Sequence, residues 1–237
     1  MYKNYIFDLY GTLVDIKTDE DSNLLWDKLS LFYSYNKAIY NRNELHNKYI
    51  DLVKRKMNLA NPLDYPDFPI EDVFEGLYLL KNVYPSKDLI YDTAHLFRVL
   101  SIDKLQLYTG VIDLLESLKK ENKNIYLLSN AQNIFTLYEM NLLGIQHYFD
   151  GILFSSDYKI CKPNKEFYKT LINKYNLEIK DTIMIGNDYF CDIFPATELK
   201  IDTLYIHSNL SPDLNDDIKS TYKILDGDFL KVKSFIL

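Results

Sequence analysis

Cysteine is scarce. Cys161 and Cys191 are the only two in 237 residues, and they form neither a CxxC pair nor a zinc-ligand spacing. The expectation is two buried thiols in a reducing cytoplasm. Histidine is equally thin. His46, His95, His147 and His207 are scattered, none at metal-ligand spacing from another, so each is expected to be structural or exposed. No apolar run reaches the ~18 residues of a membrane-spanning helix. The start "MYKNYIFDLYG" lacks the long apolar stretch of a signal peptide. No membrane partner is expected. Positive charge is also in deficit: 27 Lys and Arg stand against 34 Asp and Glu, a net charge of -7. Nucleic acid is not an expected partner, because that binding is driven by Lys and Arg. A local basic pocket for a small anion remains compatible with this balance.

What is present is ordinary for a globular enzyme. Hydrophobic residues make up 47% and charged residues 26%. The length fits one large domain, or a core with a smaller insert. The 21 tyrosines bring apolar bulk with a polar tip.

Five short runs read as strands: "NYIFD" (4–8), "NIYLLSN" (124–130), "GILFSS" (151–156), "TIMIGND" (182–188) and "DTLYIHS" (202–208). Each is continuous rather than alternating, which suits strands covered on both faces. Helix-like stretches lie between the last four: "NIFTLYEMNLL", "NKEFYKTLINKYN" and "FCDIFPATELK". "GVIDLLESLKKEN" precedes the second strand. Alternating strand and helix predicts an α/β fold with a mostly parallel, Rossmann-like sheet. Residues 16–95 differ. Apolar residues recur there at helical spacing with no strand run, and "NPLDYPDFP" (61–69) marks a loop. The reading is a core of residues 1–15 and 96–237, with a helical cap inserted at 16–95.

In open parallel sheets ligands bind beyond the carboxyl ends of the strands. Those ends deliver Asp8, Ser129 with Asn130, Ser155 with Ser156, and Asn187 with Asp188. One polar residue at a strand exit is commonplace; their agreement along one edge is the signal. Asp8 is a candidate nucleophile, since a positioned carboxylate can form a covalent ester that water then cleaves. The commoner role for a single Asp is a turn cap. Gly11 permits a turn beside the acid, whose backbone N–H groups could hold an anion. Thr12 adds a hydroxyl. Lys162, in "CKP", would neutralise an anionic substrate if aimed inward; in solvent it would do nothing. Asp188 and Asp192 offer oxygens suited to a hard cation such as Mg²⁺, although Asp192 could equally serve a helix N-terminus.

With these residues in view, the chain resembles the haloacid dehalogenase superfamily carrying a helical cap of the first type. "FDLYGTLVD", "LLSN", "CKP" and "IGNDYFCD" are similar to its four motifs, in order, across nearly the whole chain. The resemblance implies Asp8 as nucleophile, Thr12 as its positioner, and Ser129 and Lys162 as catalytic partners. It implies Asn130 as a substrate contact and a cap that selects the substrate. A metal would be held by Asp8, the backbone carbonyl of Tyr10 and an acid of the fourth motif. An ungapped match sets Asn187, not Asp188, at the usual ligand position.

Tyr10 is the departure. Phosphatases of this superfamily carry a second Asp there, which protonates the leaving alkoxide. A phenol with a pKa near ~10 suits that work poorly at neutral pH. A halide needs no proton, and "DLYGT" resembles the 2-haloacid dehalogenases, as do Tyr168 and Arg42. Arg42 could fork onto a carboxylate substrate. The favoured expectation is nonetheless Mg²⁺-dependent hydrolysis of a small phosphoric ester. The alternatives are a metal-independent 2-haloacid dehalogenase, or a binding protein on a degenerate scaffold.

Overall fold

A computed structural model describes residues 2–58, 65–213 and 218–236. Strand β1 (Asn4–Phe7) turns through a tight loop into β2 (Val14–Thr18). Four helices follow: α1 (Asn23–Tyr35), α2 (Arg42–Asn58), α3 (Glu71–Leu79) and α4 (Lys87–Ser101). The chain returns through β3 (Ile102–Leu107), α5 (Val111–Lys120), β4 (Asn124–Ser129) and α6 (Asn133–Leu142). Then come β5 (Gly151–Phe154), the short α7 (Ser155–Tyr158), α8 (Lys165–Tyr175) and β6 (Thr182–Gly186). A π-helical turn over Tyr189–Ile193 leads into α9 (Phe194–Glu198), followed by β7 (Asp202–Ile206), β8 (Tyr222–Ile224) and α10 (Val232–Ile236).

Six strands form one parallel sheet in the order β5-β4-β1-β6-β7-β8. Strand side chains alternate between faces, and both faces are covered. Tyr5, Phe7, Ile125, Leu127, Ile183 and Ile185 pack with Val111, Leu114 and Leu118 of α5. Ile6, Leu128 and Met184 pack with Phe167, Tyr168 and Leu171 of α8. This double burial is why the strand sequences are continuous apolar runs. A separate apolar cluster joins Trp26, Leu29, Tyr33, Phe74, Leu77 and Phe97 of the helical segment to Ile134 and Phe135 of α6. Several buried phenols donate to main-chain carbonyls: Tyr33 to Phe74 and Tyr40 to Leu77.

The junction of sheet and helices differs from the sequence expectation. β2 and β3 pair as an antiparallel ribbon, so residues 16–18 are strand rather than the start of a helical insert. The fourth helix runs six residues past 95, to Ser101. β3 hides this because none of its residues is fully buried and it carries no continuous apolar run. Asp15 of β2 is buried between Lys104 of β3 and Asn209, which follows β7. β8 was not anticipated; it is three residues long. Residues 61–64 of the expected loop lie outside the described residues, and 65–69 form no helix. Among the described residues, no helix is long and apolar enough to cross a membrane.

Candidate active site

Asp8 lies one residue past β1, and its N–H still donates to Ile185 O, extending the β1–β6 ladder. The chain then turns hard. The Leu9 carbonyl accepts from the N–H groups of Thr12, Leu13 and Val14 at 3.2, 2.8 and 2.9 Å. Gly11 sits at φ +87°, and a Cβ there would stand 2.3 Å from the Asn187 amide. The turn therefore requires glycine both for its backbone and for the approach of Asn187. Within it, the Thr12 hydroxyl lies 3.2 Å from Asp8 Oδ2 and 3.1 Å from Asn187 Oδ1.

The Lys162 ammonium donates to Asp8 Oδ1 and Asp192 Oδ1, both at 2.7 Å. All three groups are buried. Burial works to lower the Lys162 pKa, but the charges of Asp192 and Asp8 outweigh it and hold the lysine protonated. Burial pushes the Asp192 carboxyl up; Lys162 opposes this and the Asp8 charge adds to it. Ser129 Oγ sits 3.5 Å from Asp8 Oδ1.

A ring of neighbours fixes these three. Asn130 holds the Lys162 peptide from both sides, its Nδ2 donating to Lys162 O at 2.9 Å and its Oδ1 accepting from Lys162 N at 2.8 Å. The buried Tyr168 phenol donates to Cys191 O at 2.6 Å and lies 3.2 Å from Asp192 O, which pins the π-helical turn carrying Asp192. Asp192 Oδ2 accepts from Asp188 N at 3.0 Å. Gly186 lets Asp192 in, since a Cβ there would meet its carboxylate at 2.4 Å.

Asp8, Thr12, Ser129, Lys162, Asn187 and Asp192 are thus brought together. Asn130, expected as a substrate contact, and Tyr168 hold Lys162 and the turn of Asp192. The Asp188 carboxylate is turned away: its Oδ1 accepts from Phe190 N and Cys191 N at 2.8 and 3.0 Å and caps the turn. Of the two acids it is Asp192, not Asp188, that reaches the centre, because the π-helical turn carries Asp192 back under Lys162. Arg42 is on the surface, 3.4 Å from Asp27. The cysteines are half-buried rather than fully buried. Burial raises both thiols, Cys161 to about 11, so neither is an activated nucleophile.

Tyr10 does not face Asp8 with its hydroxyl. The phenol donates to Glu139 Oε2 at 2.5 Å and lies 3.0 Å from Thr136 Oγ1, both on α6. Arg98 of α4 completes the cluster, its Nε on Glu139 Oε1 at 2.5 Å and its Nη2 3.5 Å from the phenol oxygen. Burial, then the Glu139 charge, raise the Tyr10 pKa far above a phenol's usual range. Arg98 and Glu139 were not singled out from the sequence. The signal available was Glu139, the lone charge on the largely apolar α6; Arg98 shares α4 with Lys87, Asp88 and Asp92 and did not stand out.

No group of three His, Cys, Asp or Glu side chains converges as a metal cage among the described residues. A looser oxygen set does converge. Asp8 Oδ2 and Asn187 Oδ1 both lie beside the Thr12 hydroxyl. Hard oxygen donors with one carboxylate fit Mg²⁺, which is bound through one or two carboxylates and keeps several waters.

A parallel sheet presents a lysine-paired aspartate beyond its central strand. The haloacid dehalogenase-like hydrolase model matches residues 2–197, and the chain belongs to that family. It is 24% identical to a glyceraldehyde 3-phosphate phosphatase of Methanocaldococcus jannaschii, over 94% of this chain and 93% of that protein. Its fold is similar to the crystal structure of a HAD phosphatase from Thermococcus onnurineus, with a TM-score of 0.62 at 17% identity over 99% of this chain and 97% of the other. It is as similar to an L-2-haloacid dehalogenase, RSc1362, with a TM-score of 0.61 at 18% identity over 99% and 98% of the two chains. The fold does not choose between the two chemistries.

Two substitutions test this geometry. Gly11→Ala should cost about 1–2 kcal/mol from its left-handed backbone alone, and displace Asn187 besides. Denaturant midpoints read the first effect; an unchanged midpoint contradicts the strained turn. Tyr10→Phe should destabilise the fold by about 1–3 kcal/mol, because Glu139 loses a buried donor. Turnover should persist with its pH profile unmoved. Loss of the basic limb in that variant would show that the phenol serves as an acid after all.

Proposed function

We propose that the chain hydrolyses a small phosphoric ester in two steps through Asp8, with Mg²⁺ as cofactor. The reading rests above all on the Lys162 ammonium, 2.7 Å from both Asp8 and Asp192. That contact sets positive charge beside Asp8, where an anionic substrate would sit. In the first step an Asp8 oxygen bonds to phosphorus and the bond to the ester oxygen breaks. The alkoxide departs and takes a proton from water, since Tyr10 has given its own hydrogen bond to Glu139. In the second step water attacks the aspartyl phosphate, phosphate leaves, and the carboxylate is regenerated. Thr12 and Ser129 hold the Asp8 oxygens. Asp8 and Asn187 would hold the metal, with the Tyr10 carbonyl as the ligand implied by family resemblance. When bound, Mg²⁺ supplies Lewis-acid charge to the phosphoryl oxygens.

The helical layer of α1 to α4 acts as a cap that excludes water and selects the substrate. The archaeal relative's named activity supports a three-carbon or similarly small phosphate ester, met in the cytoplasm. One observation favours dehalogenation instead: there is no acid at position 10. Against it, a haloacid's carboxylate needs a cation, and Arg42 is paired with Asp27 while Arg98 is paired with Glu139.

Asp8→Asn should reduce turnover to background while leaving the fold intact, because an amide does not attack phosphorus. EDTA should suppress activity and Mg²⁺ restore it. Asp192→Ala should damage turnover more than Asp188→Ala, whose main effect is a lost cap of about 1 kcal/mol. Indifference to EDTA, with chloride released from 2-chloropropionate, would establish the dehalogenase reading.

Leaving groups give an independent test. A positioned general acid contributes roughly 10²–10⁴-fold, and that help matters most for poor leaving groups. Aryl phosphates, which leave without a proton, should therefore outpace alkyl phosphates by a comparable margin. Equal rates for the two classes would mean that another side chain donates the proton.

A further inference from the structure

Asp8 is 7% exposed, Lys162 3% and Ser129 1%, so the reacting groups lie deep below the surface. The segment leading into α3 lies directly on the segment leading into Lys162. Cys161 N donates to Tyr65 O at 2.8 Å, Asp67 N donates to Lys159 O at 3.2 Å, and Pro66 bridges Ile160 antiparallel.

One core side chain gathers this seam. Gln132 stands two residues after Asn130, at the start of α6. Its Oε1 accepts from Ile70 N at 2.9 Å. Its Nε2 donates to Phe68 O at 3.0 Å and lies 3.3 Å from Asp67 Oδ1. Both ends of the amide are used, and all three partners belong to residues 67–70. Asn130 uses its own amide in the same way on the Lys162 peptide. Two amides within three residues thus grip the two sides of the seam, one on the lysine and one on the cover.

We propose that Gln132 is a positioning residue that holds the 65–70 segment against the chain leading into Lys162, and that substrate reaches Asp8 when this amide lets go. The proposal concerns access to the site described above and rests on Asp8 being its reactive group; the hydrogen-exchange arm below does not depend on which ester, if any, is cleaved.

The informative amides are those of Asp67 and Cys161, whose acceptors Lys159 O and Tyr65 O are untouched by any change at 132. In Gln132→Ala they should exchange about tenfold faster or more, as expected when hydrogen bonds of ordinary strength are lost. Gln132→Glu is near-isosteric and keeps an acceptor for Ile70 N. It sets a carboxylate against Asp67 Oδ1 and Phe68 O, so it should open the seam further than alanine does. The expected order of exchange is Glu above Ala above wild type, with kcat/KM for an aryl phosphate rising in the same order as entry ceases to wait on the amide. A filler role would give the reverse, with the larger Glu milder than Ala. That reversed order, or faster exchange at Ile70 alone, overturns the proposal. If no aryl phosphate is turned over by the wild type, the phosphatase reading fails, and the exchange order still decides the role of Gln132.

Discussion

Everything at the carboxyl edge of the sheet is arranged around one ammonium shared by two carboxylates. A buried charge is tolerated only when paired and hydrogen-bonded. Lys162 is paired twice, with Asp8 and Asp192. Neither acid could hold it alone from a flexible loop, so each part is locked separately. Asp8 is fixed by the sheet ladder and the Thr12 hydroxyl, Lys162 by the Asn130 amide, and Asp192 by Tyr168, Asp188 N and the gap left at Gly186. The motif residues outside the reacting centre are mostly there to set the position of this triad.

Tyr10 extends the same logic away from the chemistry. Its backbone belongs to the nucleophile turn, while its hydroxyl joins Glu139 of α6 and Arg98 at the end of α4. The turn is thereby tied both to the helix behind Ser129 and to the last helix of the helical layer. An aspartate at position 10 is too short to make that connection while also serving the leaving group. The chain carries a brace where a proton donor would otherwise stand.

Much of the edge was legible because strand ends are marked twice, by the end of an apolar run and by the polar residue that follows. Asp8, Ser129 and Asn187 were found that way, and Lys162 from the "CKP" that matched its motif. The β2–β3 ribbon was not legible: "IDKLQL" has no continuous apolar run, no fully buried residue, and borders a helix without a break. The hydrogen bonds of Asn130, Tyr168 and Asp188 were not legible, because sequence order says which residues share an edge and not which way an amide or carboxylate turns. Gln132 left no trace. Its partners lie more than sixty residues away, and a lone Gln at a helix start has many ordinary uses.

Charge accounting bears on the chemistry last. With both acids ionised, Asp8, Lys162 and Asp192 sum to one negative charge, and Asn187 adds none. A phosphate ester brings about two more, into a site screened from water. A divalent cation beside Asp8 and Asn187 would turn the centre net positive before substrate arrives, and would leave the complex near the charge at which it began. An acid in place of Asn187 would hold that cation more tightly and cancel more of its field. The neutral amide would give the opposite balance: weaker retention of the metal, and more of its charge left to face a phosphoryl group.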